Sequence, residues 1–355
     1  MKSDHNNRRN VTVQDVARVA GVSAMTVSRV VNDSHRVRES TRTAVLDVIE
    51  RLQYRPNTAA RSLVKGEGTQ IGLLYANPSS AYLSQLLLGA LAGALRYSCH
   101  LLLEPCNDEG VLAQVNAARR FARARVQAVI LPPPFSDALA AQEELDREGI
   151  PWVTIAMGRP SPSSLNVRID DYHAALEMTR YLIALGHRNI AFIRGQPSQM
   201  ASIERYRGFV TGIGEAGLDP GRMPIEHGDF SFRSGLECAE RILGRSPRPT
   251  AIFASNDDMA AASVGVAHRQ LLRVPEDVSV VGFDDSALAT TIWPELTTIR
   301  QPIADMAESA VALLSSLLQR GTRGASVAHR ELVFPHHLIV RGSTAPPLAP
   351  ITNLT

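Results

Sequence analysis

The chain has 355 residues, 45% of them apolar and 20% charged, so it can form two or three compact units and is neither disordered nor fibrous. Residues 1–10 are polar and basic, which predicts a disordered N-terminus and no signal peptide. The longest apolar run, residues 86–95, is too short to cross a bilayer. Three cysteines without metal-ligand spacing favour buried thiols in a cytoplasmic protein.

The formal net charge of +2 conceals an uneven distribution. Residues 1–66 hold twelve Lys or Arg and six Asp or Glu, a balance of +6. The rest of the chain holds 25 basic and 29 acidic residues, a balance of −4. A basic head on a slightly acidic body indicates that the head meets phosphate. A solvated basic surface would give the same count, so charge alone leaves nucleic-acid binding open.

Residues 11–56 show the pattern of three short helices. Thr12 is suited to open the first helix, and Gly21 follows it where a tight turn needs a residue that tolerates a positive φ. Ser23 can cap a second helix, and a third covers about 39–52. The expected buried positions are Val13, Val16, Ala17, Ala20, Val27, Val30, Val31, Val45, Leu46, Val48, Ile49 and Leu52. This pattern predicts a helix-turn-helix domain whose second helix enters the major groove.

The head resembles the DNA-binding domain of the lactose/galactose repressor (LacI/GalR) family. The resemblance rests on residues 11–32, VTVQDVARVAGVSAMTVSRVVN, which agree with the family in order and without gaps. Thr41 and Arg42, Tyr54, and the pair Pro56 and Asn57 continue the match. The resemblance implies a transcription regulator that binds double-stranded DNA at specific sequences.

The recognition helix offers side chains for both bases and phosphates. Ala24 and Met25 follow its cap and suit thymine methyl groups. Arg29, one turn further on, can make a forked contact to guanine, with a phosphate contact as the alternative. Short polar side chains suit phosphate oxygens but could equally cap helices or form turns. These are Ser23, Thr26, Ser28, Asn32 and Thr41. The remaining predicted DNA contacts are Thr12, Arg36 and, from the resemblance, Gln14.

A linker of residues 57–68 follows the head. Asn57 is a helix-start signal and Gly66 a breaker, so the helix between them has about two turns and is marginal alone in water. We expect it to form only beside a partner copy on DNA. The resemblance implies that two such hinge helices lie in the minor groove, where Leu63 is the apolar wedge between bases and Ala60 allows close approach. Ordinary packing is the alternative role for Leu63.

From Thr69 onward, short apolar runs alternate with helical stretches, which predicts an α/β core whose parallel sheets are covered on both faces. The expected strands are 71–76, 100–104, 128–131, 152–156, 189–194, 250–254 and 278–283. The expected helices are 81–98, 111–125, 137–148, 171–185, 203–216, 232–243, 257–269 and 303–320. A core of this size exceeds one compact unit, so we expect two lobes.

The core resembles the periplasmic-binding-protein fold that the same family uses as a sensor. The matching fragments are LGHRNI at 185–190, RYRGF at 205–209, NDDM at 256–259, GFDD at 282–285 and LTTIRQP at 296–302. The resemblance implies a core of residues 69–342, in which the chain crosses between lobes near 169–171, 300–301 and 330. Its first lobe would be 69–169 with 301–329, and its second lobe 170–300 with 330–342. A flexible tail, 343–355, would follow.

Ligands of open α/β folds bind at the carboxyl ends of strands. Four second-lobe residues are candidates there: Arg205, Phe230, Asn256 and Asp284. Residues 77–82 of the first lobe, with Asn77 as the named candidate, and Gln301 at a crossover complete the predicted effector site. A carboxylate, a guanidinium and an amide around an aromatic ring suit a polyhydroxylated ligand. The alternatives are that Asn256 caps the helix after its strand and that Phe230 belongs to the core.

One feature departs from many members of the family. The third and fourth strands of the first lobe end in residues 132–134, all proline, and in Ala156. Polar or acidic residues are common at these strand ends in relatives. Because of this departure, the size and identity of the ligand stay open. The predicted fold is not affected.

These features predict a cytoplasmic, homodimeric regulator, favoured to be a repressor, whose two heads read a pseudo-palindromic operator. A small effector, favoured to be a sugar, would control it, while a purine or a sugar phosphate remains open. The proline-rich tail lacks a leucine heptad, which favours a dimer. No cofactor or metal site is expected. A GxGxxG match at 212–217 ends a predicted helix, so an enzyme is not expected. The contrasting alternative is a sugar-binding or sugar-modifying protein with an accessory DNA head.

Overall fold

The computed structural model describes residues 12–31, 37–52, 69–106, 110–157, 165–319 and 330–348. The chain divides into two compact units, residues 1–68 and residues 69–355. Five of the predicted DNA-contacting residues lie outside the described residues. They are Asn32, Arg36, Asn57, Ala60 and Leu63.

The described part of the first unit contains three helices, α1 (Val13–Ala20), α2 (Ala24–Val31) and α3 (Glu39–Arg51). Thr12 caps α1, and Gly21 ends it with a φ of 67°, so both predictions are confirmed. Val16, Val27, Val30 and Val45 form its core. Leu46 is 47% exposed, so its predicted burial is wrong. Leu46 comes directly after the buried Val45. Each residue of an α-helix is rotated by about 100° from the one before it, so the Leu46 side chain points away from the core.

The first lobe is built on a parallel sheet of six strands within the described residues, in the order β11-β5-β4-β3-β1-β2. The strands are β1 (Gln70–Tyr75), β2 (His100–Pro105), β3 (Ala128–Leu131), β4 (Trp152–Ile155), β5 (Leu165–Ile169) and β11 (Arg330–Phe334). The helices are α4 (Ser80–Arg96), α5 (Val111–Arg123), α6 (Leu139–Arg147) and α12 (Ile303–Gln319). Helices α4 and α12 share one apolar cluster with the sheet, and α5 and α6 share another, so both faces are covered.

The second lobe repeats this design. Its parallel sheet has the order β7-β6-β8-β9. The strands are β6 (Ile190–Arg194), β7 (Ile225–His227), β8 (Ala251–Ala254) and β9 (Ser279–Val281). The helices are α7 (Asp171–Ala184), α8 (Met200–Glu215), α9 (Phe232–Leu243), α10 (Asp257–Arg269) and the short α11 (Leu288–Thr291). Helices α7 and α8 pack on one face, and α9 and α10 on the other.

The last crossover corrects a predicted boundary. Strand β11 pairs with β5, so residues 330–334 belong to the first lobe and not to the second. The chain then passes through Pro335 and His336 to β12 (His337–Ile339), which pairs antiparallel with β10 (Thr298–Arg300) beside the second lobe. The boundary expected at 330 therefore moves to 335–336, because two short strands with different partners follow one another there.

The expected flexible tail is wrong for residues 343–348. Ser343 is fully buried, and its hydroxyl donates to the Val280 carbonyl at 2.6 Å. His187 bonds to the Thr250 hydroxyl and to the Ala345 carbonyl, and burial lowers the pKa of its ring. Hydrogen bonds of hydroxyl and backbone groups hold this segment in place. Such bonds require no apolar periodicity, so the sequence does not predict that the segment is ordered. Residues 349–355 lie outside the described residues.

Candidate functional site

The outer face of α2 carries the predicted base-reading residues. Met25 is 64% exposed, and Ala24 and Arg29 are exposed as well. The Arg29 guanidinium lies 3.6 Å from the Met25 sulfur, one turn of helix away. An apolar side chain and a guanidinium therefore lie side by side on an accessible helix. Ser28 lies on the same helix, and Gln14 is exposed on α1.

Two of the polar candidates in the head serve as helix caps. The Ser23 hydroxyl accepts from the Thr26 backbone N–H at 3.1 Å, and the Ser23 and Thr26 hydroxyls lie 2.9 Å apart. The Thr12 hydroxyl accepts from the Asp15 backbone N–H at 3.3 Å. The capping alternative therefore holds for Ser23 and Thr12, although both remain exposed. Thr41 is half-buried in the first turn of α3.

A cavity lies between the two lobes at the carboxyl ends of their strands. All six predicted effector residues line it: Asn77, Arg205, Phe230, Asn256, Asp284 and Gln301. Six further residues line it: Ser79, Tyr82, Pro133, Ala156, Gln199 and Ala201. Pro133 and Ala156 are the strand ends expected at the site, whereas Gln199 and Ala201 are not predicted from the sequence. Ser79 and Tyr82 fall in the first turn after β1, where strand-end reasoning points. Gln199 and Ala201 precede and open α8, a loop without a distinctive sequence signal.

Arg205 is held in place by groups of its own lobe. Its Nε donates to Asp171 Oδ1 at 2.7 Å, and its Nη1 donates to the Ser255 carbonyl at 2.6 Å. Its guanidinium carbon lies 3.6 Å from the centroid of the Phe283 ring. These contacts fix the guanidinium in one orientation before any ligand arrives. Burial raises the pKa of Asp171, and Arg205 opposes that shift.

Asp284 is buried with a φ of 114°, which a residue with a side chain rarely adopts. Its Oδ1 accepts from the Gln301 amide at 2.6 Å and lies 3.9 Å from Arg205 Nη1. Burial raises the pKa of this carboxyl well above its usual range, and Arg205 acts in the opposite direction. Backbone strain of this kind is commonest at binding and catalytic sites, which makes Asp284 a candidate ligand contact.

Asn256 supports Phe230 rather than presenting a free amide. Its Oδ1 caps α10 by accepting from the Met259 N–H at 3.0 Å, and its Nδ2 donates to the Phe230 carbonyl at 2.8 Å. Phe230 has a φ of 70°, and its ring lies against Gly195, where a Cβ would come within 2.0 Å. The capping alternative for Asn256 therefore holds, and both ends of its side-chain amide are bonded to backbone groups.

Asp257, beside Asn256, is fully buried and links three segments of the second lobe. Its carboxylate accepts from the Thr298 hydroxyl and from the Ser286 N–H, both at 2.7 Å. Burial raises its pKa to about 7. Asp285, the residue after Asp284, pairs with Arg300 and with Arg341, each at 2.6 Å.

Two buried polar atoms in the cavity have no hydrogen-bond partner among the described residues. They are the Tyr82 hydroxyl and the Gln301 Oε1. Burial raises the pKa of Tyr82, so its hydroxyl keeps its proton and can donate. Buried polar atoms are normally paired, so such atoms at a cavity wall indicate a place for ligand groups. The ends of β3 and β4 present apolar Pro133 and Ala156, as expected from the sequence.

Arg205 is the single cationic residue among the described residues that line the cavity. The described parts of the chain contain no cluster of His, Cys, Asp and Glu that could hold a metal ion. Within them, no helix is both long and apolar enough to cross a membrane. The cavity therefore offers hydrogen-bond donors, acceptors and one aromatic face to an organic ligand.

A helix-turn-helix unit together with a two-lobed, cavity-containing core defines a regulator of transcription that binds DNA and a small molecule. Comparison with known proteins assigns the family. Residues 12–57 match the model of bacterial regulatory proteins of the lacI family, and residues 179–344 match a periplasmic binding protein-like domain. The chain is 33% identical to catabolite control protein A of Priestia megaterium over 338 residues, covering 94% of this chain and 99% of that protein. It belongs to the LacI family.

Two solved structures share this architecture. A complex of the transcriptional regulator CelR with cellobiose matches with a TM-score of 0.70 and 29% identity, covering 94% of this chain and 99% of that one. The Lac repressor dimer bound to operator and the anti-inducer ONPF matches with a TM-score of 0.76 and 27% identity, covering 95% of this chain and all of that one. The predicted family, fold class and function as a DNA-binding regulator are confirmed.

Proposed function

We propose that the protein is a repressor whose affinity for its operator changes when a neutral, hydroxyl-rich sugar binds between the lobes. The observation that carries the proposal is the composition of the cavity wall. Asp284 and Gln301 can accept from hydroxyl groups, Tyr82 can donate, and Phe230 offers a face to an apolar side of a sugar ring. The CelR–cellobiose complex, which shares the fold, is consistent with a sugar.

The charges at the cavity disfavour the alternative of a sugar phosphate. Arg205, the single cation among the described lining residues, is already paired with Asp171, so the cavity offers no unpaired cation to a phosphate. A buried anion without its own counter-charge is strongly unfavourable. A purine is not disfavoured by charge, and the ligand experiment decides between it and a sugar.

The mechanism we propose couples the two units through a shift in population. Effector binds across the cleft and favours one arrangement of the lobes, and the linker 57–68 transmits this arrangement to the paired heads. Because the coupling free energy is reciprocal, effector and operator alter each other's affinity by the same factor. The base readers are Ala24, Met25 and Arg29, and the protein acts in the cytoplasm, where its DNA target lies.

A ligand panel tests the effector class. We expect a neutral mono- or disaccharide to raise the melting temperature of the full chain and to change affinity for an in-vitro-selected operator by about 5–150-fold. Asp284→Asn should remove the thermal shift, whereas the exposed Asp305→Asn should leave it intact. Stabilisation by purines or by sugar phosphates alone would overturn the sugar assignment. Chemical turnover of a sugar by the protein would favour the enzyme alternative.

The proposed dimer uses an apolar stripe on α4. Leu88, Leu91 and Leu95 project from one side of this helix, and Leu95 is 82% exposed. The neighbouring strand β2 lies at the edge of the sheet and exposes Leu103. Solvent-exposed leucines at helical spacing beside a sheet edge are typical of a surface that a second copy covers.

Leu91→Lys should therefore weaken the dimer. Placing two ammonium groups, one from each copy, in an apolar contact should raise the dimer dissociation constant at least about 30-fold, the effect of roughly 2 kcal/mol. Sedimentation velocity across a concentration series measures it. Leu271→Lys, at an exposed leucine of the second lobe, is the matched control. If the two variants stay equally dimeric, the stripe is not the interface.

A further inference from the structure

Two hydrogen bonds join the lobes beside the cavity. The Ser79 hydroxyl, between β1 and α4, donates to Asp258 Oδ2 in the first turn of α10 at 2.6 Å. Asp137, in the 3-10 turn after β3, accepts from the Met200 backbone N–H at 3.0 Å. In each bond the first partner belongs to the first lobe and the second partner to the second lobe. Both bonds link the two lobes directly, in addition to the three backbone crossovers.

The bond from Ser79 to Asp258 can form only when the two lobes are close together. The Ser79 hydroxyl oxygen accepts from the Tyr82 N–H at 3.2 Å as the cap of α4, which leaves the hydroxyl proton free for a partner across the cleft. Ser79 is almost completely buried although it lies in a loop at the cavity. Burial raises the pKa of Asp258, and the Ser79 hydroxyl opposes that shift. Separating the lobes would break this bond and return both groups to water.

Asp137 of the first lobe provides a side-chain cap for the N-terminus of α8. The N-cap residue of α8, Gln199, makes no side-chain capping bond. The carboxylate of Asp137 instead accepts from Met200, the first residue of the helix, and lies where the helix dipole favours negative charge. Helix α8 also carries Arg205, the cation of the effector site. The first lobe therefore caps the helix that holds a ligand-binding residue of the second lobe.

We propose that Ser79, Asp137 and Asp258 form an interlobe latch that holds the cleft closed and so sets how tightly any effector is retained. Asp137 and Asp258 do not line the cavity, so they are positioning residues that act on the arrangement of the lobes. If the closed core is the competent state, the apparent dissociation constant of an effector varies inversely with the closed fraction. The latch depends on the two-lobed core and not on the identity of the effector.

Distances between the lobes test the latch without any ligand. Nitroxide labels are attached at Leu139→Cys in the first lobe and Arg233→Cys in the second, two exposed sites at the starts of α6 and α9. The three native cysteines are buried. Labelled full-length chain is mixed with an excess of unlabelled chain, so that most dimers contain a single labelled copy. Double electron–electron resonance then measures the distance between the two labels within one core. Circular dichroism confirms that each variant is folded.

Asp137→Ala and Asp258→Ala together should raise the ratio of open to closed cores on the order of ten-fold or more, as expected when bonds to charged groups are lost. Each single variant is measured too, so the test does not depend on the double variant folding. Asp258→Asn keeps an acceptor for Ser79 and should stay near the parent. Asp305→Ala, an exposed acid in the first turn of α12, should not change the distances. Distances that coincide in parent and alanine variants would overturn the latch.

Discussion

Arg205→Met should lower the free energy of unfolding of the core by about 3–5 kcal/mol. The substitution keeps an unbranched side chain but removes the cation that pairs with Asp171 and faces Asp284, both of them buried. Two carboxyl groups would then share a poorly solvated site without a counter-charge. Urea unfolding of the full chain, followed by the fluorescence of Trp152 and Trp293, measures the change, since one tryptophan lies in each lobe.

Arg207→Met is the matched control for this prediction. Arg207 lies two residues further along the same helix, is 57% exposed and pairs with Glu204 on the surface. An exposed pair of this kind contributes about 0–1 kcal/mol. Similar losses in the two variants would mean that the buried network around Arg205 is not what stabilises the core.

The loss in Arg205→Met should also depend on pH. Without Arg205, burial raises the pKa values of Asp171 and Asp284 further above those of the unfolded chain. A carboxyl group with a raised folded pKa favours the folded state most below its unfolded pKa and loses that contribution as the pH rises towards the folded pKa. The difference from the parent should therefore be smaller at pH 5 than at pH 8.

Arg29→Ala should weaken binding to a selected operator by about 1–3 kcal/mol, or roughly 5–150-fold, and change binding to random DNA much less. The reason is that a forked contact to guanine exists only on the specific sequence, whereas phosphates are present on every DNA. Arg29 is exposed on α2 beside Met25, so its removal leaves the core of the head unchanged. Fluorescence anisotropy at fixed salt measures both affinities.

Arg18→Ala provides the control for the DNA prediction. Arg18 is an exposed arginine on α1 that pairs with Asp15, so its loss removes the same formal charge from the same unit. It should reduce affinity for both kinds of DNA to a similar, small extent. Equal losses on operator and random DNA for Arg29→Ala would reassign that residue to phosphate binding.

The sequence predicts most helices and central strands of this protein because they are long or fully buried. Helices α9 and α10 lie where periodicity places them, at 232–243 and 257–269. Strands β7, β10 and β12 have three residues each, too few for a periodic signal. The sequence predicts no strand at 330–334 and places these residues in the second lobe, whereas β11 pairs with β5 in the first lobe. The choice of a strand's partner depends on contacts between residues far apart in the chain.

For the candidate site, the sequence predicts which residues meet but not how each of them is bonded. Strand-end reasoning brings Arg205, Phe230, Asn256 and Asp284 to one cavity, because parallel strands end together. It does not reveal how each residue is bonded. That Asn256 holds the Phe230 carbonyl depends on a backbone with a positive φ, and no residue pattern signals it. The role of each residue within the site therefore follows from its contacts in the structure and not from the sequence.

The two sides of the cavity differ in their freedom to evolve. On the second-lobe side, Arg205 and Asp284 belong to interlocked networks, so a change at one residue disturbs the bonds of its neighbours. On the first-lobe side, the side chains of Pro133 and Ala156 make no hydrogen bonds, and substitutions there reshape the wall without unpairing a polar group. New effector preferences should therefore arise first through that wall, and a designed sensor for another small molecule would begin with it.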